Sequence, residues 1–110
     1  MIDDNYTKLC KVSDLNDRKG QRFIVDDTEI ALFKVDNDIY ALSNICPHQH
    51  TALIYDGFIE DECVVCPAHG WTFELETGKL KTGNARLTKY PVIIQDNHIF
   101  VKITKKELNW

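Results

Sequence analysis

The sequence has 110 residues, of which 44% are hydrophobic and 27% are charged, so its composition fits one ordinary globular domain spanning residues 1–110. The formal net charge is −4, and the only adjacent basic pairs are Arg18-Lys19 and Lys105-Lys106, which excludes the clustered basic surface that nucleic acids require. No stretch approaches the roughly 18 consecutive apolar residues of a bilayer span, and the start lacks an apolar signal region, so we expect no membrane partner and a cytoplasmic location.

Short strand-like segments alternate with turn signals along the chain, at the spacing typical of a β-sandwich or barrel. One helical turn is predicted at residues 13–16, and tight turns are predicted at residues 26–28, 36–38, 77–79 and 96–98. Strands are predicted at residues 7–12, 21–25, 29–35, 39–43, 58–65, 72–75, 90–94 and 99–103, the last two forming a hairpin. The pattern therefore predicts an all-β fold.

Two Cys–Pro segments interrupt this pattern, at Cys46-Pro47 and Cys66-Pro67. Proline fixes φ and removes a backbone donor, so each segment is predicted to be a rigid loop. Three of the four histidines and three of the four cysteines fall between residues 46 and 69. In the reducing cytoplasm such cysteines are more naturally metal ligands or free thiols than disulfides.

The two loops carry the candidate ligands in the orders Cys46-x-His48 and Cys66-x-x-His69. A zinc site with two cysteines and two histidines is one interpretation, although zinc fingers usually place both cysteines in one loop and both histidines in the other. Here each loop donates one of each. That arrangement favours a two-iron cluster in which the cysteines bind one iron and the histidines bind the other.

The same segments, together with residues 39–44 ahead of the first loop and 72–78 behind the second, resemble Rieske ferredoxins. Residues 29–33 also resemble the Rieske-like small subunit of NAD(P)H-dependent nitrite reductase. The resemblance implies a Rieske-type antiparallel β-sandwich whose two loops form a cluster-binding subdomain, about residues 44–75. It also implies a Rieske-type 2Fe–2S cluster on Cys46, His48, Cys66 and His69.

The resemblance also bears on the reduction potential. High-potential family members have a serine and a tyrosine that donate hydrogen bonds to the cluster sulfurs, where this sequence has Trp71 and Phe73. They also carry a disulfide between the loops, where this sequence has Thr51 and Ala68. We therefore predict a potential of about −150 mV, at the bottom of the Rieske range, and a value above zero would contradict it.

This sequence departs from the family at two places that bear on the shape of the docking tip. His50 stands where family members often have glycine. Residues 82–86 lack the proline that members often carry in a later loop beside the cluster.

Other reactive side chains have simpler interpretations. Cys63 and Cys10 are predicted to be buried thiols in strands, His50 a solvated loop residue, and His98 a surface residue in a turn. Trp71 either shields the cluster or packs the second loop against the base of the fold. The acidic run at residues 60–62 is either a solvated turn or a docking site for a basic redox partner.

These features predict electron transfer without chemistry of its own. A complete Rieske oxygenase needs a second, mononuclear iron held by two histidines and a carboxylate, and only His50 and His98 would remain for it. Two roles stay open: a ferredoxin that links a flavin reductase to a terminal oxygenase such as a dioxygenase, or the small subunit beside the large subunit of a nitrite reductase. Residues 29–33 and 39–44 favour the second slightly. The alternative from another class is a zinc-stabilised Cys2His2 binding module without redox activity.

Overall fold

The computed structural model describes residues 6–47, 51–68 and 70–103, which form ten strands. The strands are β1 (Tyr6–Lys11), β2 (Lys19–Val25), β3 (Thr28–Val35), β4 (Asp38–Ser43), β5 (Phe58–Glu60), β6 (Cys63–Val65), β7 (Thr72–Glu74), β8 (Lys89–Tyr90), β9 (Val92–Gln95) and β10 (His98–Lys102). Two single-turn 3-10 helices lie at Val12–Asp14 and Ile54–Asp56. No helix among these residues is long and apolar enough to cross a bilayer.

The strands form three sheets in which every ladder is antiparallel, with the orders β1-β10-β9, β2-β3-β4-β8 and β5-β6-β7. The first two sheets face each other across a cluster of buried side chains, among them Ile30 and Leu32 of β3 and Ile99 and Val101 of β10. This arrangement confirms the predicted antiparallel β-sandwich.

Strand β3 explains how the third sheet is attached. Successive side chains of a strand point to opposite faces, so a strand that is buried on both sides becomes continuously apolar. Ile30 and Leu32 face the sandwich core, whereas Ala31, Phe33 and Val35 face a second apolar cluster. That second cluster also holds apolar residues of the β5-β6-β7 sheet and both loop cysteines, Cys46 and Cys66. Residues 30–33 therefore pack both against the sandwich core and against the part of the fold that carries the two loops.

A glycine fixes where the first loop rejoins the sheet. A Cβ added at Gly20 of β2 would collide with the Tyr55 carbonyl oxygen and with the Phe33 ring. The missing side chain lets the second 3-10 helix lie directly against β2. The chain that leaves the first loop is thereby held close to the sheet.

Four details differ from the sequence predictions. The predicted strand at 58–65 is two strands, because Asp61 and Glu62 adopt positive φ and turn the chain. The predicted strand at 90–94 is split at Pro91, so β8 pairs with β4 while β9 forms the expected hairpin with β10. The first helical turn begins at Val12 instead of Ser13, and the 3-10 helix at Ile54–Asp56 was not predicted.

Candidate metal centre

The two Cys–Pro loops are closed in the same way. In the first loop the Cys46 amide donates a hydrogen bond of 2.9 Å to the Thr51 carbonyl oxygen, and in the second the Cys66 amide donates one of 2.7 Å to the Trp71 carbonyl oxygen. Each bond joins residues five positions apart. The same kind of backbone bond thus closes both loops, one following β4 and the other joining β6 to β7.

The second loop contains a residue in the left-handed backbone conformation. Gly70 has a φ of 76°, and its amide donates a hydrogen bond of 2.9 Å to the Cys66 carbonyl oxygen. Glycine adopts this conformation without steric cost. The bond turns the chain sharply between Cys66 and β7, as the prediction of a rigid loop requires.

The structure brings the two predicted cysteine ligands into one environment. Cys46 and Cys66 are each only 1% exposed, belong to the same buried cluster, and form no disulfide. A buried thiol held by rigid backbone can serve as a metal ligand, because a bound metal ion deprotonates it and supplies the positive partner that a buried thiolate needs. The predicted histidine ligands, His48 and His69, lie outside the described residues. Among the described residues, no group of three or more His, Cys, Asp or Glu side chains converges.

Asn44 fixes both ends of the first loop, which the sequence did not reveal. It is fully buried, and its side-chain amide donates to Glu29 Oε1 at 2.9 Å and to the Ala52 carbonyl oxygen at 3.3 Å. Its side-chain oxygen accepts a bond of 2.7 Å from the Tyr55 amide. The backbone carbonyl of Asn44 accepts a further bond from Ile54. One side chain two residues before Cys46 therefore holds the segment that follows the loop.

Glu29 connects this network to the edge of the sheet. Its carboxylate accepts two hydrogen bonds from the Arg22 guanidinium, at 2.9 and 2.6 Å, in addition to the bond from Asn44. The Arg22 bond lowers the pKa of Glu29 from 4.5 to about 2, against the opposing effect of burial and with further help from Asn44. Glu29 thus stays ionised throughout the physiological range.

Glu29 should make stability depend on pH in a defined window. Because its folded pKa is lower than its unfolded pKa, its contribution is fully present above about pH 4.5 and is lost as the pH falls towards 2. We expect Glu29→Gln to lower the thermal midpoint at pH 7 and to differ less from the wild type as the pH falls below 4.5. Thermal melts between pH 7 and pH 3 measure this. Glu60→Gln is the control, because Glu60 is exposed; an equal loss at every pH for Glu29→Gln would contradict the assignment.

The remaining cysteines lie in strands, as predicted. Cys63 is buried in β6, and Cys10 is half-buried in β1. Burial raises the pKa of both thiols, and Asp14 raises that of Cys10 further.

Two aromatic residues support the second loop. Trp71 is half-buried and packs against the apolar cluster, and its ring centroid lies 6.3 Å from that of Phe73 with a tilt of 52°. Phe73 is fully buried. Trp71 thus packs the second loop against the base of the fold, which is one of its two predicted roles.

The acidic run and the two remaining histidines have different outcomes. The acidic residues 60–62 are exposed, and Glu60 and Asp61 line a groove together with Gly70 and Trp71 of the second loop. His98 is the first residue of β10 and is partly buried, so its prediction as a surface turn residue was wrong. His50 lies outside the described residues.

Comparisons with known proteins add to this geometry. The Rieske [2Fe-2S] domain family matches residues 5–91. The ferredoxin component of the alkene monooxygenase system of Xanthobacter autotrophicus is 31% identical over 100 residues, covering 90% of this chain and 82% of that protein. The ferredoxin subunit of a 3-phenylpropionate/cinnamic acid dioxygenase from Photorhabdus laumondii is 34% identical over 102 residues, covering 90% of this chain and 95% of that protein.

A solved structure gives the same fold. It is from Mycobacterium tuberculosis, is named as an NADH-dependent nitrite reductase small subunit, and superposes with a TM-score of 0.85. The match covers 92% of this chain and 96% of that one at 23% identity, so it supports the fold alone.

Proposed function

The chain belongs to the Rieske [2Fe-2S] domain family, and from this premise we propose that it is the ferredoxin component of an oxygenase system. Electron transfer on a Rieske-type 2Fe–2S cluster is the function that the family supports, and nothing supports the zinc alternative. One observation favours the ferredoxin role: the two curated relatives above are both ferredoxin components of oxygenases and match over at least 82% of their length.

We assign the ligands to Cys46 and Cys66 on one iron and to His48 and His69 on the other. The burial and backbone closure of the two cysteines support this assignment. With neutral imidazoles, two ferric ions, two sulfides and two thiolates sum to a formally neutral centre, so the cluster accepts an electron more readily than an all-cysteine cluster. The chain contributes the thiolates, excludes water from them, and holds both loops in a fixed position.

The specific partners follow from this role. A flavin reductase would donate the electron and a terminal oxygenase would accept it. The second candidate is the small subunit of a nitrite reductase, which the resemblance of residues 29–33 supports. The oxygenase role is preferred because it rests on relatives of 31% and 34% identity, whereas the two solved structures named as nitrite reductase small subunits are 23% and 25% identical.

Purification of the tagged chain from its native host distinguishes the two roles. We expect the holoprotein to elute from a gel-filtration column at the size of a small protein and, when reduced, to pass electrons to an oxygenase. Stable co-elution with a large subunit that contains flavin and sirohaem would contradict the ferredoxin role and support the subunit role. A tagged chain with both predicted cysteines replaced controls for association that does not need the cluster.

A further inference from the structure

Thr51, at the end of the first loop, carries a buried hydroxyl with no evident role in the fold. Its Oγ1 is shielded from solvent and has no hydrogen-bond partner among the described residues. Buried polar atoms are nearly always paired, because a buried donor left unpaired loses its hydration without gaining a hydrogen bond in exchange. The hydroxyl therefore calls for a partner that the described residues do not supply.

The backbone places Thr51 beside the first cysteine. The Thr51 carbonyl oxygen accepts the hydrogen bond from the Cys46 amide that closes the loop. Nearby polar groups are already paired: Asn44 bonds to the Ala52 carbonyl and the Tyr55 amide, and the Ile45 amide bonds to Ser43 Oγ. The Thr51 hydroxyl is a buried side-chain group that lacks a hydrogen-bond partner among the described residues.

A cluster sulfur is a suitable acceptor at this position. A hydroxyl can donate one hydrogen bond, and thiolate and sulfide sulfurs carry negative charge. We propose that Thr51 donates its hydroxyl proton in a hydrogen bond to a sulfur on the Cys46 side of the cluster, and thereby raises the reduction potential. This inference rests on the proposed function. Because reduction adds negative charge to the cluster, the donor stabilises the reduced form more than the oxidised form.

The Thr51 hydroxyl would partly compensate for the hydrogen-bond donors that the second loop lacks. Trp71 and Phe73 provide no hydroxyl at the positions where high-potential relatives have serine and tyrosine. Thr51 belongs to the opposite loop, so its hydrogen bond would reach the cluster from another direction. The first loop would then supply a hydroxyl donor, whereas Trp71 and Phe73 of the second loop supply none.

Potentiometric titration of the holoprotein tests the inference with three variants. Thr51→Val keeps the shape of the side chain and removes the hydroxyl, Thr51→Ser keeps the hydroxyl, and Thr88→Val removes an exposed hydroxyl elsewhere. We expect Thr51→Val to lower the ratio of reduced to oxidised protein at a fixed potential severalfold, where a tenfold change corresponds to about 59 mV. Thr51→Ser and Thr88→Val should remain close to the wild type.

Electron paramagnetic resonance of the reduced variants gives a readout independent of activity. We expect Thr51→Val to alter the g-values and Thr51→Ser to restore them. If Thr51→Val changes the thermal midpoint but neither the potential nor the spectrum, the hydroxyl has another partner and the inference is overturned. If the wild type contains no inorganic sulfide, the proposed function fails instead, so the two failures are distinguishable.

Discussion

Replacing Cys66 with serine should abolish the cluster. Cys66 is 1% exposed and its amide closes the second loop, so the side chain is held in one place. Serine keeps the size of the side chain but offers a hydroxyl in place of a soft thiolate, which iron–sulfur clusters require. We expect iron and sulfide in purified Cys66→Ser to fall at least tenfold below the wild type, with loss of the visible absorption.

Cys63→Ser provides a closely matched control. Cys63 lies three residues earlier, is 4% exposed and has a pKa raised by burial, yet it is assigned no role at the cluster. We expect this variant to keep its iron, sulfide and colour, with at most a modest loss of stability. Equal loss of iron from both variants would contradict the ligand assignment, because burial alone would then explain the effect.

Replacing Asn44 with leucine should weaken the first loop without removing a ligand. Leucine has a similar volume but leaves the Tyr55 amide and the Ala52 carbonyl without the Asn44 side chain, and it removes one of the two hydrogen bonds that Glu29 Oε1 accepts. Unpaired buried groups of this kind cost about 3 kcal/mol together. We expect the thermal midpoint to fall by ~10–20 °C and the cluster to bleach several times faster under air.

Asn16→Leu is the control for this variant, because Asn16 is exposed and the hydrogen bond that it accepts from the Lys19 amide uses its backbone carbonyl, which leucine keeps. Thermal melts and the decay of visible absorption follow the two effects separately. If Asn44→Leu loses stability but bleaches at the wild-type rate, the network supports the fold and does not hold the loop around the cluster.

The turns show how far local sequence determines this fold. The predicted turns at 26–28, 36–38 and 96–98 all contain Asp or Asn residues that adopt positive φ in the structure. These residues tolerate left-handed backbone, so the signal is local and readable. The turn at Asp61 and Glu62 was missed because glutamate seldom adopts that conformation, and the segment was predicted as one strand.

Strand pairing across the chain was less predictable. Residues 90–94 have the composition of one strand, but Pro91 cannot donate a ladder hydrogen bond, and its carbonyl accepts from Lys102. The chain therefore pairs with β4 before the proline and with β10 after it. Whether a proline ends a strand or divides it between two sheets depends on partners far away in sequence.

The candidate site likewise combines features that the local sequence encodes with features that depend on long-range pairing. The order of cysteines and histidines lies within two short loops and could be read directly from the sequence. The Asn44 network could not, because Asn44 meets Glu29 and, through it, Arg22 only after β2, β3 and β4 have paired. Nor does any sequence pattern mark the Thr51 hydroxyl as buried and without a partner among the described residues.

Iron and sulfide analysis of natively loaded protein, followed by Mössbauer spectroscopy of the reduced form, tests most directly whether thiolates and imidazoles hold an iron pair here. The account predicts about two irons and two sulfides per chain, with two inequivalent iron sites in equal amounts and the added electron on one of them. One zinc per chain without sulfide would contradict it, as would two irons in equivalent all-cysteine environments.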